Sequence, residues 1–388
     1  MVDFRTIRIA DFGRVITGKT PPSAQPELFG DLHPFLTPTD IDGFARHIEP
    51  DRYLSSAGRD YQHRLMLPSN AVCVVCIGAT IGKVCMTDRP SFTNQQINSV
   101  VVNETEHDPF FVYHLLTTLR DELKSNAGGA ATPIINKTAF SEIKVSVPFL
   151  PVQQRIAGIL SAYDELIENS RRHIKILEAM ARALYREWFV HFRFPGHENH
   201  PRVASPLGEI PQGWEVRTVE EIVKRISVGK KYDQKTVSPT GAVPVFDQGK
   251  SGIIGYHDDQ PGVEATENAP VIVFANHTCY QRLVHFPFSA IQNVLPFVPH
   301  PSVARNIYWL HWATNGLVVF NDYKGHWPEF AAQQLVVPSQ DVCQQFGDFA
   351  APISRQILKL ERAINNLRRT RDLLLPRLLS GQINVEAA

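Results

Sequence analysis

No stretch of this sequence approaches the ~18 consecutive apolar residues that a membrane-spanning helix needs, which excludes a helical membrane protein. The N-terminal segment Met1-Val-Asp-Phe-Arg-Thr-Ile-Arg-Ile-Ala-Asp-Phe-Gly-Arg14 has no apolar signal core, so a cytoplasmic chain without membrane contact is expected. Cysteine is scarce. The five residues, Cys73, Cys76, Cys85, Cys279 and Cys343, are odd in number and too scattered for a disulfide framework. Cys73 and Cys76 form a CxxC inside the apolar run Ala71–Ile77, without the second pair a zinc site requires. Buried strand thiols are the expected reading. Net charge is also missing, because 39 basic residues balance 39 acidic ones. Any nucleic-acid binding must therefore rest on local patches.

Catalytic motifs are absent as well. Gly13-Arg-Val-Ile-Thr-Gly-Lys-Thr20 matches the letters of a phosphate-binding loop, but Pro21, Pro22 and Pro26 follow where a helix should begin. Asp108-Pro-Phe110 lacks the second proline of an adenine-methylating pocket, and no glycine-rich cofactor segment accompanies it. Glu122-x-Lys124 and Glu142-x-Lys144 lie too far from Pro50-Asp51 to make a compact nuclease metal site. No catalytic residue and no metal site is assigned.

What the sequence does contain is a duplication. Its 388 residues, with 43% hydrophobic and 20% charged, suit two or three soluble domains. Ile156, Leu160, Tyr163, Ile167, Ser170, Ile174, Leu177, Ala181, Leu184 and Trp188 step by 4,3,4,3, the a/d seam of a coiled-coil helix, broken only by Ser170. Adding 190 to each number gives Phe346, Ala350, Ile353, Ile357, Leu360, Ile364, Leu367, Arg371, Leu374 and Leu378, the same seam broken only by Arg371. Val145-Ser-Val-Pro148 and Leu335-Val-Val-Pro338 precede the two runs at the same offset. Further upstream the likeness is looser: Gly18-Lys19 with Gly229-Lys230, Ala71–Val75 with Pro270–Phe274, and Asn94-Gln-Gln-Ile97 with Ile291-Gln-Asn-Val294. These stretches read as strands and turns.

A helix over 156–188 would rise roughly 48 Å, and its narrow stripe needs a partner. A homodimer would supply one. Pairing between the two copies in one chain is favoured, because both seams have equal length and an intramolecular partner has a high effective concentration. The returning chain makes that pairing antiparallel. The expected organisation is a first globular domain at 1–150, a helix at 151–192, a linker at 193–213, a second domain at 214–340 and a second helix at 341–380. His197 and His200 fall in the linker and are read as solvated. Pro352 interrupts the second seam and is expected either in a first turn or at a kink, so the two helices are expected to differ at their starts. The second helix is basic, with Arg355, Lys359, Arg362, Arg368, Arg369, Arg371 and Arg377 against Glu361 and Asp372. A solvated face or an acidic partner would explain that charge.

Several segments, taken in order, resemble the specificity subunits of type I restriction-modification systems. They are Thr17-Gly-Lys-Thr-Pro21, Pro34-Phe-Leu-Thr-Pro-Thr-Asp40, Ile77-Gly-Ala-Thr-Ile-Gly-Lys83, Asn94-Gln-Gln96, Pro148-Phe-Leu-Pro-Val-Gln-Gln154, Gly208-Glu-Ile-Pro-Gln-Gly-Trp214 and Arg371-Asp-Leu-Leu-Leu-Pro-Arg-Leu-Leu-Ser-Gly381. The resemblance implies an α+β chain: two pseudo-twofold-related α/β target recognition domains separated by two long helices packed as an antiparallel coiled coil. It also implies one half of a split double-stranded DNA site per domain, two docked methyltransferase subunits, and restriction subunits. S-adenosylmethionine, ATP and magnesium would belong to those partners, with no cofactor in this chain. A protein-binding coiled-coil scaffold without sequence-selective DNA binding is the alternative.

Base edges are read by Arg, Lys, Asn and Gln, and phosphates are held by Lys, Arg, Ser and Thr on turns. Lys19, Thr20, Thr80, Lys83, Asn94 and Gln95 are therefore candidates in the first domain. Lys230, Lys231, Gln248, Lys250, Asn276, His277 and Lys324 are candidates in the second, where Ser227-Val-Gly-Lys-Lys231 lacks the Thr-Pro of the first. Trp309, Trp312 and Trp327 are expected in the core.

Overall fold

The computed structural model describes residues 4–42, 45–128, 133–249, 252–303, 305–321, 324–383 and 385. The chain divides into two compact units, Met1–Ser170 with Ala363–Ala388, and Arg171–Arg362.

The first unit is closed by its own ends. Strand Phe4–Arg8 pairs antiparallel with Lys144–Pro148, directly before the first long helix. Between them lie two four-stranded sheets. One orders Gly13–Thr17, Ile97–Val102, Val72–Val75 and Val84–Met86, all antiparallel. The other orders Phe29–Gly30, Tyr53–Leu54, His33–Leu36 and Phe92–Thr93, ending in a parallel pair, Phe35 beside Phe92. Val72–Val75 is buried on both faces, as its unbroken β-branched and thiol run demands. Cys73, Cys76 and Cys85 are buried there, and burial raises the Cys76 thiol to about 11. Helix Pro109–Thr118 covers this sheet with Phe111, Val112, Leu115 and Leu116. Proline opens it at the first position, and the Asp108 carboxylate caps it by accepting from the Phe111 N–H at 2.9 Å.

The second unit repeats this plan. Glu215–Thr218 pairs with Gln334–Val337 to close it. One sheet orders Val223–Arg225, Val294–Pro299, Val271–Ala275 and Gln281–Val284. The other orders Lys231–Tyr232, Ser289–Ile291, Val243–Phe246 and Ile253–His257, again with a parallel contact, Val245 beside Ser289. Helix Ile307–Thr314, capped by Asn306, covers the first sheet and buries Trp309. Trp327 packs on Phe274, Phe297 and Phe330. The weak sequence likeness upstream of the helices thus reflects one topology used twice.

The long helices are Leu150–Tyr185, continued by a π-helical turn Arg186–Val190, and Gln340–Leu379. Their starts differ by the repeat offset of 190. Of the two expectations for Pro352, the first-turn position is corrected, because it lies well inside helix Gln340–Leu379, and so is the expectation that the two helices differ at their starts. Pro352 is exposed, and it leaves the Asp348 carbonyl without its usual helical donor. In the first unit, Ile156, Ala157 and Leu160 pack with Leu374, Leu375 and Leu378. In the second, Leu184, Tyr185 and Trp188 pack with Phe346 and Ala350. Early residues of one helix meet late residues of the other in both places, so the pairing is antiparallel. No seam residue is exposed, Ser170 and Arg371 included. Each aliphatic side chain buried there stabilises by about 1.5–3 kcal/mol.

Arg371 is tolerated in the seam because Asp164 meets it. Its Nη1 lies 2.6 Å from Oδ1 of Asp164, whose side chain is only 5% exposed. His114 Nε2 stands 3.4 Å from the other carboxylate oxygen. Burial, then the Arg371 and Arg46 charges, push His114 down to about 3, so it is neutral at ordinary pH. The predicted linker is not open chain. Arg202–Ser205 and Gly208–Pro211 form an antiparallel hairpin, and His200 Nε2 contacts the Gln212 carbonyl at 2.9 Å. No described helix is long and apolar enough to cross a membrane.

Candidate nucleic-acid interface

The phosphate-loop letters of the first unit belong to a strand. Gly13–Thr17 runs beside Ile97–Val102, and no helix follows Lys19 directly. Beyond Thr17 the chain passes the turn 93–97. The Gly18 N–H donates to Ile97 O and the Lys19 N–H to Thr93 O, at 3.2 and 3.0 Å. Gly18 is required here, since a Cβ would lie 2.2 Å from the Thr93 carbonyl oxygen. Thr20 Oγ1 then donates to Gln95 Oε1 at 2.8 Å. Lys19 is exposed, with its ammonium 5.9 Å from the centre of the Tyr61 ring. The structure therefore gathers Lys19, Thr20 and Gln95 at one surface.

Asn94 is placed differently from its expected reading role. It is 6% exposed; its Oδ1 accepts from the Gln96 N–H and its Nδ2 donates to Gln96 Oε1. Those bonds occupy the amide and hold the turn, so Asn94 is a scaffold residue. Lys83 is also engaged, its ammonium donating to the Ile41 carbonyl at 2.5 Å. Thr80 is half-buried in the adjoining turn, where its carbonyl accepts from the Lys83 N–H. Gly82 in that turn has φ of 83°, and a Cβ would meet Arg120 at 2.6 Å.

In the second unit the equivalent surface is built from different side chains. Lys230 is exposed and donates to Asp259 Oδ2 at 2.8 Å, which raises the lysine and lowers the aspartate. Lys231 begins the strand that lies parallel to Ser289–Ile291. Lys231, Gln248, Thr278 and Gln292 border an open cavity of about 630 Å³. Gln248 Oε1 accepts from the His277 N–H at 2.8 Å, and Asn293 Nδ2 meets His277 Nε2 at 2.9 Å. His277 Nδ1 faces the Lys324 carbonyl at 3.0 Å, and the Lys324 ammonium lies 3.8 Å from Glu329. Asn276 Oδ1 accepts from the Trp327 N–H at 2.7 Å, so it caps a helix start instead of facing out. Lys250 lies outside the described residues. Gln248, Asn276, His277 and Lys324 thus converge on one loop cluster, with much of their hydrogen-bonding capacity directed inward.

Sequence reasoning missed Gln292 and Asn293. Their signal was present in the Ile291-Gln-Asn-Val294 stretch, which the sequence already matches with Asn94–Ile97, and the strand pairing gives both stretches the same place in the fold. It also missed the Asp164–His114–Arg371 cluster, which no local motif marks. Among the described residues, no group of three or more His, Cys, Asp or Glu side chains is disposed to hold a metal ion.

Comparison with known proteins converges on one family. The family model described as type I restriction modification DNA specificity domain matches residues 1–179. The MjaIX type I restriction enzyme specificity subunit of Methanocaldococcus jannaschii is 25% identical over 99% of this chain and 94% of its own length. The HindI specificity subunit of Haemophilus influenzae is 32% identical over 44% of this chain and 38% of its own length. The crystal structure of a type I S subunit from M. genitalium covers 97% of this chain and 96% of that one, with a TM-score of 0.57 at 15% identity, a likeness of fold. With the duplicated topology and paired long helices already in place, these matches lead to one conclusion: over nearly its whole length the chain is similar to the specificity subunits of type I restriction-modification systems, and its residues 1–179 match their DNA specificity domain.

Proposed function

We propose that each globular part of this chain reads one half of a bipartite double-stranded DNA site, and that the chain docks two adenine methyltransferase subunits and the restriction subunits of its complex. The observation that carries this reading is the repeat itself. The same order of the antiparallel four-stranded sheet, an equivalent parallel strand contact in the other sheet and an equivalent covering helix occur in each unit. Two similar reading modules in one chain suit a target of two half-sites. Lys19, Thr20 and Gln95 would contact DNA in the first unit, and Lys230, Lys231 and the rim of the Gln248–His277–Lys324 cluster in the second. Thr80 and Lys83 would support the first surface from the adjoining turn. S-adenosylmethionine, ATP and magnesium would serve the partner subunits, and this chain would contribute specificity and no chemistry.

The test is binding by the purified chain in complex with its methylation partner at fixed, near-physiological salt. One bipartite duplex should be retained at least ~10³-fold more tightly than random duplex. Equal affinity for all duplexes would reject the reading. Stable assembly with the partners but no sequence preference would favour a protein scaffold instead.

A further inference from the structure

We propose that Gln95 and Gln292 are the matched base-reading side chains of the two units, each reading an adenine in its own half-site. This inference rests on the bipartite reading above and assigns its specificity to two particular amides.

Both glutamines occupy the same place in the repeated fold. Each lies in the turn that leaves the parallel-paired strand, Phe92–Thr93 or Ser289–Ile291, and enters the central strand, Ile97–Val102 or Val294–Pro299. Each is exposed, in a turn otherwise made of half-buried or buried residues. Beside each turn runs a lysine-bearing segment: Gly18-Lys19 is bonded to Ile97 and Thr93, and Lys231-Tyr232, which follows Gly229-Lys230, lies parallel to Ala290-Ile291. A lysine therefore stands where a phosphate would be held, next to an amide that can address a base edge.

The turns are pinned, as discrimination between bases requires. In the first, Asn94 clamps Gln96, and the Gln96 carbonyl accepts from the Cys76 N–H at 2.8 Å. In the second, the Asn293 carbonyl accepts from the Asn276 N–H at 2.9 Å, and Asn293 Nδ2 meets His277. The neighbouring asparagine is thus the scaffold in both turns, and the glutamine is the group left facing outward.

The amide pattern selects the base. A glutamine pairs with adenine in the major groove by donating from Nε2 to N7 and accepting at Oε1 from the N6 amino group. Thr20 Oγ1 donates to one lone pair of Gln95 Oε1, which holds the amide in place and leaves the second lone pair for the base. Thr20 is therefore a positioning residue. At the equivalent place the second unit has Lys231, so Gln292 lacks that fixed orientation.

The decisive experiment is methylome sequencing of cells carrying the full system with Gln95→Ala, Gln292→Ala, Gln95→Glu or Thr20→Val, compared with wild type. Gln95→Ala should relax one adenine position in one half of the motif, by roughly tenfold or more in discrimination, and leave the other half unchanged. Gln292→Ala should do the same in the opposite half. Gln95→Glu, an acceptor without a donor, should shift that position toward cytosine. Thr20→Val should weaken discrimination at the position read by Gln95 and nowhere else. If a variant abolishes methylation, binding of single-base-permuted duplexes by the purified complex replaces the methylome as readout. Unchanged motifs in both alanine variants, or changes in both halves from one of them, would overturn the assignment. A wild-type system that methylates no bipartite motif would instead overturn the bipartite reading itself.

Discussion

The two units solve one packing problem in opposite ways. In the first, the seam position occupied by Arg371 is matched by Asp164, with His114 behind it. Moved by the repeat offset, these positions become Ala181 and Ser354 in the second unit. There Ser354 Oγ meets His285 Nε2 at 3.0 Å, and a cavity of about 330 Å³ lies against both residues. The sequence pattern is the same, but one copy holds a buried ion pair and the other a neutral hydrogen bond beside empty space. The periodicity of a seam therefore fixes which residues face a partner, without fixing how the interior is satisfied. The asymmetry also favours pairing between unlike helices. A first helix placed against a second copy of itself would bring Asp164 opposite Ala181 and leave a buried carboxylate unpaired.

Four outcomes would sharpen or break this contrast. The largest concerns Arg371→Ala, which strands Asp164 in the interior. It should cost about 3–5 kcal/mol in urea unfolding followed by a probe in the first unit. Asp164→Ala combined with Arg371→Ala should recover much of that loss, because no buried charge is then left alone. A double variant no more stable than Arg371→Ala would show that the pair is incidental.

Next in size is the response to acid. His114 in the folded first unit is held near 3, below its ordinary value, so protonation favours the unfolded chain. Its contribution is complete above about pH 6.5 and is lost as pH falls toward 3, with a slope up to about 1.4 kcal/mol per pH unit. His311 of the second unit is held near 4, chiefly by burial, so its loss ends sooner. His114→Gln should flatten the acid limb of the first unit only, as followed by pH-dependent melting.

A smaller effect is expected at Ser354. Ser354→Ala removes its hydrogen bond to His285 and should cost about 1 kcal/mol, well short of the loss at Arg371. Equal losses at the two sites would erase the distinction between the units. The smallest concerns Lys230→Ala, which removes an exposed ion pair with Asp259. It should leave the melting temperature unchanged and, on the proposed function, reduce the salt dependence of DNA binding by about one unit of slope.

Much of this fold was legible in the sequence for a physical reason. A coiled-coil seam repeats along the chain, so Ile156 through Trp188 and Phe346 through Leu378 announce both the helices and their equal lengths. Strand pairing is not local. Nothing near Phe4 indicates that it pairs with Pro148, and the likeness of Ile291–Val294 to Asn94–Ile97 does not say which amide of each turn faces outward. The structure therefore divided the roles within each turn, sending Asn94 inward and leaving Gln95 outward, although both are amides of similar sequence context. Pro352 shows the converse: a first-turn position was one reading of the residue alone, whereas the helix starts well before it, at Gln340. Arg371 looked like a flaw in the seam until Asp164, 207 positions away, was found against it.

The most direct test of the account exchanges residues 1–150 for the equivalent domain of an unrelated specificity subunit and sequences the methylome of cells expressing the complete system. Two independent reading modules predict that one half of the methylated motif changes and the other is retained. Change in both halves, or in neither, would contradict the account.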